Sequence, residues 1–139
     1  MNSEPCIIKG NSFSDERGKI SFNNEFNAVE VKRIYFIENY TLDFLRGWQG
    51  HQIEQRWFMC TKGSFEIKVI KIDNWENPSK DLPVMVYQIN SENSAVLHVP
   101  KGYVTCIQAL EKKSKLMAMS DYNLAEIKDE YRFDLEYFK

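Results

Sequence analysis

The sequence lacks paired cysteines, long apolar runs and a signal peptide, three features that would assign it to a disulfide-rich, membrane or secreted class. Its three cysteines, Cys6, Cys60 and Cys106, form no CxxC pair, and each lies among apolar neighbours. Such residues are typical of buried structural thiols and not of a disulfide framework. Nowhere do 18 apolar residues follow one another, and the N-terminus MNSEPCIIKG lacks the basic and apolar regions of a signal peptide. We therefore expect a cytoplasmic protein that does not contact a membrane.

An excess of charge of either sign is also missing. The chain has 18 basic and 20 acidic residues, which are interspersed and give a formal net charge of -2. This balance creates no general basic field that would attract nucleic acid or an anionic membrane. No nucleic-acid partner is therefore expected, and any anionic ligand must be held by local charges.

The size and composition of the chain predict one domain. A chain of 139 residues with 43% hydrophobic content can bury a core without disulfides or metal. Neither a domain boundary, nor an internal repeat, nor a low-complexity segment interrupts the sequence. We expect residues 1–139 to form a single domain.

Apolar and polar residues alternate in short runs broken by turn residues, which predicts many antiparallel strands rather than helices. The predicted strands lie in 13–22 (with a turn at 15–18), 31–37, 54–60, 64–72, 84–89, 95–99, 103–109 and 115–120, and a further strand begins at Arg46. The clearest pairing signal is Thr61-Lys62-Gly63, a short connection with glycine that predicts a hairpin between the strands at 54–60 and 64–72. About nine strands match an all-β fold of the two-sheet jelly-roll or sandwich type.

The tail, residues 121–139, loses the two-residue period. Its charges are mixed with apolar residues at intervals that fit a helical or an irregular segment packing onto the sheets. We expect one late helix or an irregular segment there.

Polar residues concentrate in the stretch 46–63, RGWQGHQIEQRWFMCTKG. With it, four further stretches carry a resemblance: VKRIYFI at 31–37, CTKGS at 60–64, SAVLHVPKGY at 94–103 and SDY at 120–122. In order and spacing the chain resembles the sugar-nucleotide branch of the cupins. The similarity is greatest to the dTDP-4-keto-6-deoxyglucose 3,4-ketoisomerases (WxcM-like) and more distant to the dTDP-4-dehydrorhamnose 3,5-epimerases. This resemblance implies a cupin-type jelly roll and a homodimer.

The resemblance also implies a site. Those ketoisomerases have a His-x-His pair associated with proton transfer, and the matching positions here are Gln49 and His51. Alternation places both side chains on one strand face, but an amide can neither take nor give a proton near neutral pH. His51 is then the acid/base, Gln49 and Tyr35 polarise or orient the sugar, and Arg46 anchors the diphosphate. No redox cofactor is required.

Other residues of the similar stretches are weaker candidates. Arg33, Tyr103 and Tyr122 are expected to contact the substrate, the tyrosines by stacking on a base or hydrogen bonding to a sugar. Arg33 and Arg56 could equally be charges on a solvated face, and Arg56 occupies a position where the ketoisomerases commonly have Gln. His98 lies between apolar residues and is assigned no site role.

Metal-binding cupins use three histidines and a glutamate, of which this chain keeps His51 and, one position short of the usual spacing, Glu54. Gln49 and Thr105 occupy the other histidine positions, so too few ligands remain for a transition metal. No metal is expected. Two functions remain open: a sugar-nucleotide ketoisomerase or epimerase of deoxysugar biosynthesis that works by enolisation, or a non-catalytic cupin that binds a nucleotide sugar or carbohydrate.

Overall fold

The computed structural model describes residues 4–138, which form twelve β-strands and contain no helix. The strands are β1 (Cys6–Ile8), β2 (Asn11–Asp15), β3 (Gly18–Phe22), β4 (Arg33–Ile37), β5 (Arg46–His51), β6 (Arg56–Lys62), β7 (Ser64–Lys71), β8 (Met85–Asn90), β9 (Val96–Val99), β10 (Tyr103–Ala109), β11 (Lys115–Ser120) and β12 (Tyr131–Arg132). The first sheet has the strand order β1-β9-β6-β11-β4 and the second sheet β12-β5-β10-β7-β8, while β2 and β3 form a separate hairpin. The expected all-β, two-sheet jelly roll is confirmed.

Consecutive strands mostly lie in opposite sheets. From β4 to β7 the chain changes sheet at every connection, and it does so again between β9, β10 and β11. The predicted hairpin between the strands at 54–60 and 64–72 is therefore wrong, because β6 pairs with β9 and β11 while β7 pairs with β8 and β10.

Gly63 explains why this connection resembled a hairpin turn. Its φ is 76°, and a Cβ there would lie 2.0 Å from the Ser114 Oγ. Only glycine fits such a left-handed, crowded turn without strain. The same short glycine turn serves a corner between two sheets as well as a hairpin, so the local sequence does not distinguish them.

The tail after β11 is irregular, and the alternative of a late helix is wrong. Within it β12 pairs with β5, and the rings of Phe133 and Phe138 pack on Trp48 and its buried neighbours on the outer side of the second sheet. The tail thus covers an apolar surface that would otherwise be solvated. Residues 4–138 include no helix long and apolar enough to cross a bilayer.

The main core lies between the two sheets. Alternation on β7 turns Phe65, Ile67 and Val69 inward, where they are fully buried against Leu97 and Leu116 of the first sheet. At one end of the sandwich the inward residues become larger and more polar, and the sheets leave a cavity instead of closing on each other. The candidate site lies in this cavity.

Candidate functional site

A cavity of about 510 Å³ opens between the sheets, lined by side chains from β4, β5, β6 and β10. It brings together most of the residues that the sequence singled out, and its lining includes Tyr35, Arg46, Gln49, His51 and Tyr103.

Two of the expected substrate-binding residues do not line this cavity. The Arg33 guanidinium lies 4.5 Å from the centroid of the Tyr35 ring, and the Tyr122 ring faces the Lys32 ammonium at 5.8 Å. Arg33 therefore lies beside Tyr35 on the same face of β4, next to the cavity lining, and Tyr122 lies beyond the end of β11.

Strand pairing sets the positions of Gln49 and His51. On β10, Thr105 lies opposite Gln49 and Tyr103 lies opposite His51. Between them, a Cβ on Gly50 would lie 2.2 Å from the Tyr103 carbonyl oxygen, so this close approach requires glycine. The predicted sharing of one strand face by Gln49 and His51 is confirmed by their common place in the cavity wall.

The His51 ring is held in one tautomer. Its Nδ1 lies 3.0 Å from the backbone oxygen of Asp129. Because a carbonyl oxygen only accepts, Nδ1 carries the hydrogen and donates it, which leaves a lone pair on Nε2. Burial, and then the nearby positive charge of Arg56, lowers the pKa of His51 below its ordinary value. At neutral pH the ring is therefore uncharged and can act as a base.

Asp129 fastens the tail to the loop that follows His51. Its Oδ1 accepts the backbone N–H of Gln52 at 3.0 Å, and its Oδ2 accepts those of Ile53 and Glu54 at 2.8 Å. Only 3% of Asp129 is exposed. Sequence reasoning missed this residue, since a carboxylate in an irregular charged tail looks the same whether it is buried or solvated.

Arg56 is buried in the cavity wall, so the reading of it as a solvated charge is wrong. Its Nη1 donates to Glu54 Oε1 at 2.8 Å and to Ser120 Oγ at 3.0 Å, and its Nε donates to the Tyr35 hydroxyl oxygen at 2.9 Å. The signal was present in the sequence: Arg56 has the same parity on β6 as the core residues Phe58 and Cys60.

Glu54 completes a polar chain across the cavity. Burial acts to raise its pKa, but the hydrogen bond and positive charge of Arg56 outweigh burial and lower the pKa of Glu54 overall. The carboxylate is thus ionised, and its Oε2 lies 4.0 Å from His51 Nδ1. The chain runs from Tyr35 through Arg56 and Glu54 to His51.

One group of side chains has the composition of a metal site. His51, Glu54 and Asp129 each offer one ligand atom, and these atoms lie within 4.8 Å of one another. Both Asp129 oxygens already accept backbone N–H groups, and Glu54 is paired with the Arg56 cation. A metal would have to displace these partners beside a fixed positive charge, so the donor set fits a metal poorly. That no metal is required stays a prediction.

Arg46 lines the cavity, and some of its guanidinium N–H groups already donate hydrogen bonds within the protein. Its Nε donates to Asn39 Oδ1 at 3.1 Å and its Nη2 to the Glu38 carbonyl at 3.3 Å. A guanidinium has five N–H donors, so others remain for a ligand. Arg132, which sequence reasoning missed, also lines the cavity from β12, opposite Gln49, and is paired with Glu130.

His98 does not line the cavity. Its ring stacks on Trp57 with centroids 5.1 Å apart, and its Nε2 lies 2.7 Å from Gln55 Oε1.

Comparison with known proteins identifies relatives of the whole chain. A model of the WxcM-like, C-terminal family matches residues 3–139. No curated protein matches the chain by sequence.

Solved structures share the fold at low sequence identity. The 3,4-ketoisomerase QdtA from Thermoanaerobacterium thermosaccharolyticum, solved with TDP, is 20% identical with a TM-score of 0.72, over 96% of this chain and 90% of that one. A 3,4-ketoisomerase from Helicobacter canadensis is 21% identical with a TM-score of 0.66, over 90% and 88%. The 3'-monoepimerase ChmJ from Streptomyces bikiniensis, solved with dTDP-quinovose, is 14% identical with a TM-score of 0.74, over 94% and 70%.

Both histidines are expected to titrate below pH 6.5, because burial is the largest cause that lowers the pKa of His51 and of His98. The unfolded chain then binds protons near pH 6.5 that the folded protein does not bind. The free energy of unfolding should therefore fall as the pH drops below about 6.5. NMR titration of the ring C–H signals, assigned with His51→Asn, gives the two values. A His51 that titrates above 6.5 would contradict the inferred neutral state.

Proposed function

Because the chain belongs to the WxcM-like, C-terminal family, we propose that it is a sugar-nucleotide ketoisomerase or epimerase of deoxysugar biosynthesis. The substrate class is a dTDP-4-keto-6-deoxyhexose. The observation that carries the proposal is His51, a buried neutral imidazole whose Nδ1 is bound to Asp129 and whose ring lines a cavity with arginines in its wall. Structures of similar fold were solved with TDP-4-keto-6-deoxyglucose and with dTDP-quinovose, which supports a nucleotide sugar as ligand.

The reaction follows from the chemistry of a base beside a ketone. His51 Nε2 removes the proton from the carbon next to the sugar ketone, and the electron pair forms an enediol. Gln49 and Tyr35 lie in the same cavity and can donate hydrogen bonds to the oxygen on which negative charge develops. Return of the proton to the neighbouring carbon gives ketone migration, and its return to the opposite face of the same carbon gives epimerisation.

Arg46 is the proposed anchor of the diphosphate. A chain of net charge -2 does not attract a nucleotide by its overall field. A planar guanidinium with unused donors at the cavity provides the local, charge-assisted hydrogen bonds that phosphate oxygens require.

Gln49 favours a second function, because the relatives' paired histidines are reduced here to one titratable group. A cupin that binds a nucleotide sugar or carbohydrate without turnover would need Arg46 and the cavity but not a proton-transfer pair. A cytoplasmic location and the absence of nucleic-acid partners, both expected from the sequence, remain part of the proposal.

If the protein catalyses enolisation, it should exchange the proton on the carbon next to the sugar ketone with solvent. Incubation with dTDP-4-keto-6-deoxyglucose in deuterated water should give deuterium at carbon 3 and a new ketosugar, both visible by NMR. His51→Asn should abolish exchange while nucleotide binding persists. Gln49→His should raise activity about a hundredfold or more, since it restores a positioned acid or base.

Two results would reject different parts of this proposal. If neither the wild type nor Gln49→His exchanges a proton while both bind the nucleotide sugar, the protein is a binding cupin. If His51→Asn is as active as the wild type, the assignment of the base is wrong.

Binding of dTDP should depend on Arg46. Calorimetry of Arg46→Ala should show affinity reduced tenfold or more, because a charge-assisted hydrogen bond contributes about 1.5–3 kcal/mol. The matched control is Arg17→Ala, which removes the same charge from an exposed turn where Arg17 pairs with Asp15. Equal affinity in Arg46→Ala and Arg17→Ala would place the phosphate anchor elsewhere.

We further propose a homodimer that covers the outer face of the first sheet. Ile34 and Phe36 on β4 are each 56% exposed there, beside the half-buried Met117 and the buried Met119 on β11. Exposed apolar side chains that lie together, as Ile34 and Phe36 do, mark association surfaces. Light scattering at high micromolar concentration should give twice the 16.4 kDa mass of one chain, and Ile34→Asp should lower it. A monomeric wild type would exclude the dimer.

A further inference from the structure

The proposed reaction gives no task to the ion pair of Glu54 and Arg56, although both residues line the cavity. Their side chains are 11% and 9% exposed, respectively. Taking two charges out of water costs free energy, and apolar side chains of similar volume often stabilise a fold as well as such a pair or better. The requirements of the fold alone therefore do not explain the pair, whereas a contact with the ligand does.

Part of each charged group is used within the protein. Arg56 Nη1 donates to Glu54 Oε1 at 2.8 Å, to Ser120 Oγ at 3.0 Å and to the Gln55 carbonyl at 3.1 Å. Ser120 Oγ in turn donates to Glu54 Oε1 at 3.1 Å, and Arg56 Nε donates to the Tyr35 hydroxyl oxygen at 2.9 Å. These contacts hold both side chains in one arrangement before any ligand enters.

Two atoms of the pair have no hydrogen-bond partner among residues 4–138. Arg56 Nη2 carries two hydrogens and donates to no acceptor, and Glu54 Oε2 accepts from no donor. The Oε2 atom lies 4.0 Å from His51 Nδ1, whose hydrogen goes to the Asp129 carbonyl. In this part of the chain every fully buried side-chain nitrogen or oxygen does have a partner. Nη2 and Oε2 are therefore accessible from the cavity that both residues line.

A donor and an acceptor of opposite charge, side by side, define the kind of group that binds them. A carboxylate or phosphate would bind the Arg56 N–H groups but would be repelled by Glu54, and an ammonium would be repelled by Arg56. A hydroxyl group suits both, because its oxygen accepts a hydrogen bond while its hydrogen is donated to another acceptor. Both hydrogen bonds would then be charge-assisted.

We propose that Glu54 and Arg56 form a binding subsite for one hydroxyl group of a neutral sugar, with Arg56 Nη2 donating to the hydroxyl oxygen and Glu54 Oε2 accepting its hydrogen. The inference rests on the nucleotide-sugar ligand of the proposed function. It places the hexose, and not the diphosphate, at this part of the wall, while Arg46 remains the proposed anchor of the diphosphate. It also excludes sugars that carry a carboxylate or an ammonium group at this position.

The chain holds this subsite close to the proposed base. His51 ends β5 in the second sheet and Arg56 begins β6 in the first, so the four residues 52–55 cross from one sheet to the other. Glu54 lies in this crossing, and Asp129 accepts its backbone N–H at 2.8 Å. A hydroxyl bound to the pair therefore positions the sugar ring against His51.

Analogues of dTDP-glucose that each lack one ring hydroxyl test the contact by calorimetry. In the wild type, loss of the bound hydroxyl should weaken binding about tenfold or more, because a hydrogen bond to a charged group is lost. The double variant Glu54→Leu/Arg56→Met should bind this analogue and dTDP-glucose alike, since neither contact remains. Its affinity for dTDP, which has no sugar, should equal that of the wild type.

This double variant keeps the test valid, because apolar replacement of both partners leaves no unpaired charge in the cavity wall. The comparison of two ligands in two proteins isolates the contact from any general effect on the cavity. If every analogue loses the same factor of affinity in the wild type and in the double variant, the subsite is rejected.

Single variants test the charge selection of the subsite. At pH 7, an analogue with an amino group in place of the bound hydroxyl should bind the wild type more weakly than dTDP-glucose. Arg56→Gln leaves Glu54 as the only charge and should prefer the amino analogue, whereas Glu54→Gln should reject it more strongly than the wild type does. The control Glu126→Gln removes an exposed carboxylate that pairs with Lys32, and its preference should match the wild type.

A merely structural pair predicts a different result. Its loss would lower the affinity for all ligands alike and would not change the preference between the hydroxyl and the amino analogue. An unchanged preference in Glu54→Gln and in Arg56→Gln would therefore overturn the proposal. Binding of dTDP to each variant reports whether the cavity is intact, and if Arg56→Gln does not fold, Glu54→Gln and the double variant decide.

The outcomes separate this inference from the proposed function. If the wild type exchanges no proton while one sugar hydroxyl depends on Glu54 and Arg56, the isomerase is rejected and the subsite belongs to a binding cupin. If the wild type exchanges the proton and no hydroxyl depends on the pair, only the subsite is rejected.

Discussion

The buried guanidinium of Arg56 is the constraint on which the cavity depends. A charge taken out of water between two sheets costs several kcal/mol unless partners surround it, and removal of one partner from such a pair costs about 3–5 kcal/mol. Arg56 meets this requirement with Glu54, Ser120 and Tyr35, which come from three different parts of the chain. Where another jelly roll would close with apolar side chains, these contacts keep a polar wall that remains open to a ligand.

Much of the fold could be predicted from alternation alone. The period-two runs identified most of the strands, because side-chain parity on a half-buried sheet is imposed by the core. The alternation of side chains along a strand does not indicate which strands pair with each other. The turn at Gly63 separates strands of different sheets, and its glycine is required by a left-handed turn in either arrangement. Partner choice depends on contacts distant in sequence, which a local pattern does not contain.

The sequence likewise indicated some residues of the candidate site and not others. The cluster around His51 stood out by composition and by resemblance, and the cavity does bring Tyr35, Arg46 and Gln49 to it. The parity of Arg56 with Phe58 on β6 indicates an inward side chain. Arginine side chains are usually solvated, however, and this general preference favoured an exposed position for Arg56. For Asp129 no pattern existed, because its role comes from three backbone N–H groups that only the folded loop presents.

The hydrogen bond between His51 and Asp129 joins residues 78 positions apart. During synthesis from the N-terminus, the strands that carry His51, Arg56 and Tyr103 are all available before Asp129 is made. Until that carbonyl arrives, either ring nitrogen of His51 can carry the hydrogen, and the loop after it has no anchor for its N–H groups. A nascent chain can therefore pair the strands from β1 to β11 and still lack the contact that fixes the tautomer of His51.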